Sequence, residues 1–173
     1  KDLTDVIEVA AGSEHVLALK RDGSVWAWGA NGSGQLGDGS FKASRVPVPT
    51  GLTGIARVRA GGNQSFAISS RRAIYSFGEA SDGQLGLGDA ISTDIGVPTA
   101  VARSVTDAAA GDRTALLLGV NGLVSSAGAN ESGSLGDGGT TARKIFGAVN
   151  VLSNVIALDS GGRSFSVAIV ADG

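Results

Sequence analysis

Apolar residues along this chain fall in short runs that alternate with small or polar positions, and the runs recur at a fixed spacing. Val6, Val9 and Ala11 open the first unit and lead to Gly12, in the order V-x-x-V-x-A-G. The same order returns from Ile55 to Gly61, from Val105 to Gly111 with alanine in the middle, and from Val155 to Gly161 as V-x-x-L-x-S-G. A second run follows each: VLAL at 16–19, SFAI at 65–68, ALLL at 115–118 and SVAI at 166–169. The last is one residue late because of the doubled Gly161-Gly162. A third run appears in three units, as VWAWG at 25–29, IYSFG at 74–78 and VSSAG at 124–128. Alternating arms of this length and composition predict strands, and no unit holds a ten-residue stretch of helical period.

The runs divide residues 1–173 into one repeat domain with copies at 6–54, 55–104 and 105–154 and a partial copy at 155–173. A unit too small to bury its own apolar faces must stack on its neighbours, so propeller blades or a β-solenoid are expected. Asp22-Gly23 and Asn121-Gly122 separate the second run from the third and predict two-residue hairpins with positive φ. Copy two has Arg71-Arg72 there. Such a pair strains that turn or forces another, and valine at position 72 is then expected to be nearly neutral. A glycine loop follows the third run: GQLG at 34–37, GQLG at 83–86 and GSLG at 133–136.

The order G-x-x-H-x-L-A-L, D-G, V-x-x-W-G, N-x-x-G-Q-L-G resembles the repeat of the regulator of chromosome condensation family. Copy one carries it through Gly12, His15, Leu17, Ala18, Leu19, Asp22, Gly23, Trp28, Gly29, Asn31, Gly34, Gln35, Leu36 and Gly37. Copy two keeps Gly61, Gly78, Gly83 and Gly86, and copy three keeps Gly111, Gly122, Gly128, Gly133 and Gly136. The resemblance implies an all-β fold, a β-propeller of four-stranded antiparallel blades, here about half of a seven-bladed ring. The Gly-His and Trp-Asp pairs of WD-type repeats are absent.

Composition agrees. Glycine numbers 28 of 173 residues, about twice the usual share, and serves frequent tight turns. The net charge of −2 lacks the basic excess of a nucleic-acid binder. Without cysteine there is no disulfide framework or thiolate metal site. Apolar runs stop well short of the roughly 20 residues of a membrane span. No signal peptide is visible, and the absence of methionine even at position 1 suggests an excised fragment or a processed product.

Candidate chemistry is sparse. Gly32, Gly34 and Gly37 spell G-x-G-x-x-G, but DGSFKASRVPVP after them cannot begin the helix that a dinucleotide site needs. His15 is the only histidine, and its repeat positions hold Gln64, Thr114 and Phe165, so a structural hydrogen bond is expected of it. The aromatics Trp26, Trp28, Tyr75 and Phe77 give way to Ser125 and Ala127, which predicts a thinner third unit. Asp38, Asp89 and Asp137 recur after the glycine loops as Asx-type turn residues, one carboxylate per loop being too few for calcium. Asn31, Asn63 and Asn130 begin N-x-S triplets. No catalytic, cofactor or metal site is predicted. Arg57, Arg59, Arg71 and Arg72 fall within sixteen residues and are the candidate partner-binding patch.

The expected function is a protein–protein interaction scaffold that is not an enzyme, binding another protein through loops at Ser40–Thr53, Ala90–Arg103 and Thr140–Ser153. A second copy of the chain could close the ring. The alternatives are guanine-nucleotide exchange on a small GTPase, which the resemblance implies only for a complete ring, and a secreted inhibitor or sugar-binding module.

Overall fold

The computed structural model of the chain describes residues 2–89, 94–162 and 165–171. They form three four-stranded antiparallel sheets and one hairpin. The first sheet contains β1 (Val6–Ala11), β2 (His15–Lys20), β3 (Val25–Gly29) and β4 (Ser44–Pro49) in that order. The second contains β5 (Ile55–Gly61), β6 (Gln64–Ser69), β7 (Ile74–Gly78) and β8 (Ile95–Ala102). The third contains β9 (Val105–Ala110), β10 (Thr114–Gly119), β11 (Val124–Gly128) and β12 (Arg143–Ala148). The hairpin pairs β13 (Val155–Gly161) with β14 (Phe165–Val170). Each sheet is one blade. The first strands β1, β5, β9 and β13 pack side by side, which places them innermost and the fourth strands outermost.

The fourth strands correct the reading of residues 40–53, 90–103 and 140–153 as loops. The middle of each stretch is a strand, β4, β8 or β12, and the loops are confined to the residues that flank it. These strands are half-exposed or exposed apart from Gly96 of β8, so they lack the buried alternation that marked the others. Residues 90–93 of the second stretch lie outside the described residues.

Cores form between blades. Leu17, Leu19 and Val25 of blade one meet Ile55, Val58 and Phe77 of blade two. Between blades two and three the aromatic comes from the opposite wall: Phe66 replaces the bulk lost at Ala127, and Leu117 stands where earlier copies have Ala18 and Ala67. Close packing rewards conserved total volume more than any one side chain. The seam expected to be thin is therefore refilled.

The hairpin turns also differ from expectation. Lys20 N–H donates to Ser24 O and Gly23 N–H to Lys20 O, both at 2.9 Å, so the loop is three residues with one left-handed residue at its end. Gly23 has φ 80°, Gly122 has φ 72°, and Arg72 forms the same turn at φ 64°. Only this third position requires positive φ, so copy two keeps the loop and carries the strain on arginine. Each turn then anchors the next blade, through Ile55 N–H to Gly23 O, Val105 N–H to Arg72 O and Val155 N–H to Gly122 O at 3.0–3.1 Å.

Valine at 72 is thus not neutral. A left-handed residue other than glycine costs roughly 1–2 kcal/mol, offset by about 0.4–1 kcal/mol because glycine frees the unfolded chain. Arg72→Gly is expected to stabilise by up to about 1 kcal/mol, whereas Gly23→Val and Arg72→Val each lose stability, the former by about 1–3 kcal/mol. Urea midpoints measure all three, and destabilisation by Arg72→Gly would refute the turn assignment.

Candidate partner-binding faces

Because strands alternate in direction, the loops of each blade alternate between two faces. The β1–β2 turns and the glycine loops share one face; the β2–β3 turns and the linkers between blades share the other.

The glycine loops are held from inside by asparagine. Asn31 is fully buried, its Oδ1 accepts Leu36 N–H at 2.9 Å, and its Nδ2 lies 3.0–3.2 Å from Asp38 Oδ1, Ser40 O, Ser40 Oγ and Lys42 O. Asn130 repeats this with Leu135 N–H, Asp137 Oδ1, Gly139 O and Thr141 O. The N-x-S triplets at Asn31 and Asn130 are therefore structural, with no amide exposed for a glycan. Copy two has Ala80 there, and its N–H instead donates to Asp94 Oδ1 at 3.1 Å. Asp38 and Asp137 also accept the N–H two residues on, at 2.9 and 3.0 Å, as Asx turns do.

His15 is buried and its Nε2 lies 2.8 Å from Ser65 Oγ of the next blade. Ser65 Oγ donates to Gln35 O at 2.8 Å, so the imidazole is the donor to Ser65. A Cβ on Gly12 would fall on the His15 ring, which is why this turn takes glycine. Gln64 makes the corresponding link between blades two and three, donating to Gly111 O at 2.8 Å.

The four candidate arginines separate. Arg57 and Arg59 lie on β5 and are ion-paired across three blades. Arg59 Nη1 donates to Glu8 Oε1 of blade one at 2.7 Å, and its Nη2 lies 2.8 Å from Asp107 Oδ1 of blade three. Arg57 Nη1 donates to Asp107 Oδ2 at 2.8 Å, and Glu8 Oε2 accepts Val58 N–H at 3.0 Å. Burial disfavours the Arg59 charge, yet its bonds to Asp107 and Glu8 outweigh that and raise its pKa. This network ties the inner strands together. Arg71 and Arg72 belong to the β6–β7 turn on the linker face, exposed and outside it.

Among the described residues the faces carry opposite charge. The glycine-loop face includes Glu14, Glu79, Asp82, Asp112 and Glu131, and a groove of about 580 Å³ there is bordered by Glu14, Glu79, Asp112 and Arg113. Arg113 grips Asp82 with two bonds, Nε to Oδ2 at 2.7 Å and Nη2 to Oδ1 at 2.6 Å, and these hold Asp82 below the usual carboxylate range. The linker face carries Lys20, Arg21, Arg71, Arg72 and Arg103 against Asp2, Asp5 and Asp22. Sequence reading missed this polarity because it needs the alternation of loops between faces. Arg103 and Glu14 were not singled out at all.

Four-stranded antiparallel blades with their first strands innermost and their loops on two faces define a β-propeller, here three blades and the hairpin of a fourth. The chain belongs to the regulator of chromosome condensation (RCC1) repeat family, whose profile matches residues 22–68 and 73–118, with a second profile of the same description matching 6–35. It is 48% identical over 42 residues to the human E3 ubiquitin-protein ligase HERC2, a match covering 24% of this chain and 1% of that protein. It is 42% identical over 43 residues to the mitochondrial RCC1 domain-containing protein RUG3 of Arabidopsis thaliana, covering 25% of this chain and 10% of that protein.

Among solved structures it is similar to Prp20p of Saccharomyces cerevisiae, with a TM-score of 0.86 and 24% identity over 97% of this chain and 44% of that one. Human WBSCR16 follows with a TM-score of 0.69 and 19% identity, over 98% of this chain and 59% of that one. At these identities the likeness establishes the fold. The chain spans less than two thirds of each of these relatives.

Proposed function

We propose that this chain is a protein-interaction scaffold that binds through its two loop faces and performs no covalent chemistry of its own. The observation that carries this reading is the opposite charge of those faces on a framework braced by the Glu8–Arg59–Asp107 network. Complementary surface potentials select partners and speed their encounter. The solved relatives support it, since Prp20p is described with binding to Gsp1p and histones and, in another structure, bound to Kap60.

Reversing charge one face at a time tests the scaffold reading. Glu14→Lys with Glu79→Lys, and separately Arg21→Glu with Arg72→Glu, are compared with the unmodified chain as baits in cell lysate. Each pair should lose a different set of captured proteins. Identical sets from all three baits would overturn the reading.

A second reading, nucleotide exchange on a small GTPase, draws on the likeness to Prp20p alone. Release of a fluorescent guanine nucleotide from purified small GTPases decides it: acceleration by substoichiometric chain supports exchange, and no acceleration retires it.

A further inference from the structure

On the linker face, a groove of about 690 Å³ opens between the linker leading to β5 and the end of β8. Its walls include Thr53, Ser69, Ser70, Arg71, Tyr75 and Arg103, and no carboxylate borders it. Arg71 and Arg103 are exposed, and neither has an ion-pair or hydrogen-bond partner among the described residues. Arg57, Arg59, Arg113 and Arg143, by contrast, reach carboxylates of neighbouring elements. Ser69 Oγ already accepts Ala73 N–H at 3.1 Å, so its own O–H is left to donate. The polar side chains that line it can all donate: two guanidiniums, which only donate, and the Thr53, Ser69, Ser70 and Tyr75 hydroxyls, which donate or accept. A groove with two unpaired guanidiniums, hydroxyls that can also donate and no carboxylate of its own is complementary to carboxylates, which guanidinium binds with two parallel hydrogen bonds.

We propose that this groove binds an acidic peptide segment of a protein partner, with Arg71 and Arg103 as its carboxylate anchors. The proposal rests on the scaffold reading above and names the partner chemistry of one face. Two observations favour a peptide over a nucleic acid. The net charge of the chain is −2 and its other face is acidic, so a long polyanion meets repulsion beyond the groove. The cleft also has the size of a compact ligand site that fits a few residues, and it offers no extended basic track.

The experiment measures fluorescence anisotropy of a fluorescein-labelled, glutamate-rich peptide titrated with the full 173-residue chain. The other arms are the same peptide with glutamine for glutamate and an oligothymidine of equal charge. Saturable binding of the acidic peptide is expected, weakened about tenfold or more by Arg71→Glu with Arg103→Glu and by raising salt from about 0.05 M to about 0.5 M. Arg45→Glu, an exposed arginine on β4, should leave it unchanged, and circular dichroism checks that each variant is folded. The milder Arg71→Gln with Arg103→Gln pair gives the same reading should charge reversal disturb the turn. No binding to the unmodified chain, equal binding to the glutamine peptide, or indifference to both double variants would each overturn the proposal. Tighter binding of oligothymidine, lost in the same variants, would replace the peptide by nucleic acid. Because the peptide and the chain are purified, failure here leaves the lysate comparison to decide the scaffold reading independently.

Discussion

Replacing Asn31 with alanine is expected to destabilise the fold by about 2–4 kcal/mol, the largest loss for any single polar side chain described above. The side chain is fully buried and closes the glycine loop from within. Its removal strands the buried Leu36 N–H and withdraws donors from Ser40 O and Lys42 O. Leaving a buried polar group without a partner costs the desolvation of that group, about 1–3 kcal/mol, as for Leu36 N–H, and the lost bonds to the partly buried Ser40 O and Lys42 O add to it. Asn31→Asp separates this account from a simple packing loss. The aspartate keeps an acceptor for Leu36 N–H, but it loses both N–H donors and sets a carboxylate against Asp38, which lies 3.1 Å from the present amide nitrogen. It should therefore be no better than alanine. Urea unfolding at neutral pH measures both variants, and a loss below about 0.5 kcal/mol in either would remove the clamp as an explanation.

Copy two shows what the sequence could and could not disclose. The repeat, its strands and its glycine positions are legible because apolar alternation and glycine recur at one spacing, and a backbone that must turn sharply tolerates few substitutes. The asparagine clamp is legible only by reading down the repeat, where Asn31 and Asn130 bracket Ala80; the N-x-S triplets drew attention to the right residues for the wrong reason. The same vertical reading exposes the inner ion pairs, since Glu8, Arg57 and Asp107 occupy one repeat position in three successive blades. Taken along the chain alone, Arg57 and Arg59 looked like a surface patch.

What stayed hidden has physical reasons. The β2–β3 loops demand positive φ at one residue only, and arginine at 72 meets that demand under strain, so the dipeptide rule for two-residue hairpins misread it. Asp5, Gly54, Ser104 and Asn154 also adopt positive φ where each inner strand begins. Glycine and three small polar residues at one repeat position are a usable signal for a left-handed residue, one that the apolar pattern masks. The fourth strands were overlooked because a half-exposed outer strand containing Pro47 and Pro49, or Pro98, has no alternation to display.

Lowering the pH from 7.5 to 5 is expected to cost this protein about 2 kcal/mol of stability through His15 alone. Burial, with no offsetting charge, lowers the His15 pKa from 6.5 to about 4. The folded state therefore holds the imidazole neutral while the unfolded chain takes up a proton between those values. Stability from this group is complete above pH 6.5 and is lost as pH falls toward 4, reaching about 3 kcal/mol there, at 1.36 kcal/mol per pKa unit.

The geometry gives the reason. Nε2 already serves Ser65 Oγ at 2.8 Å, and Nδ1 is buried without a partner, so a second proton would be a charged donor with nothing to receive it. Asp22, Asp82 and Asp137 all titrate below their ordinary value of 3.8, outside this window. His15 is the only histidine, which makes the assignment clean. His15→Gln places in blade one the residue that copy two uses at this position. It should remain folded and flatten the profile between pH 7.5 and 5 while leaving the carboxylate-driven fall below about pH 4 in place. Urea unfolding of both proteins across that range measures the slope. An unmodified chain equally stable at pH 7.5 and 5, or a glutamine variant with the same slope as the parent, would show that His15 is not the group that titrates.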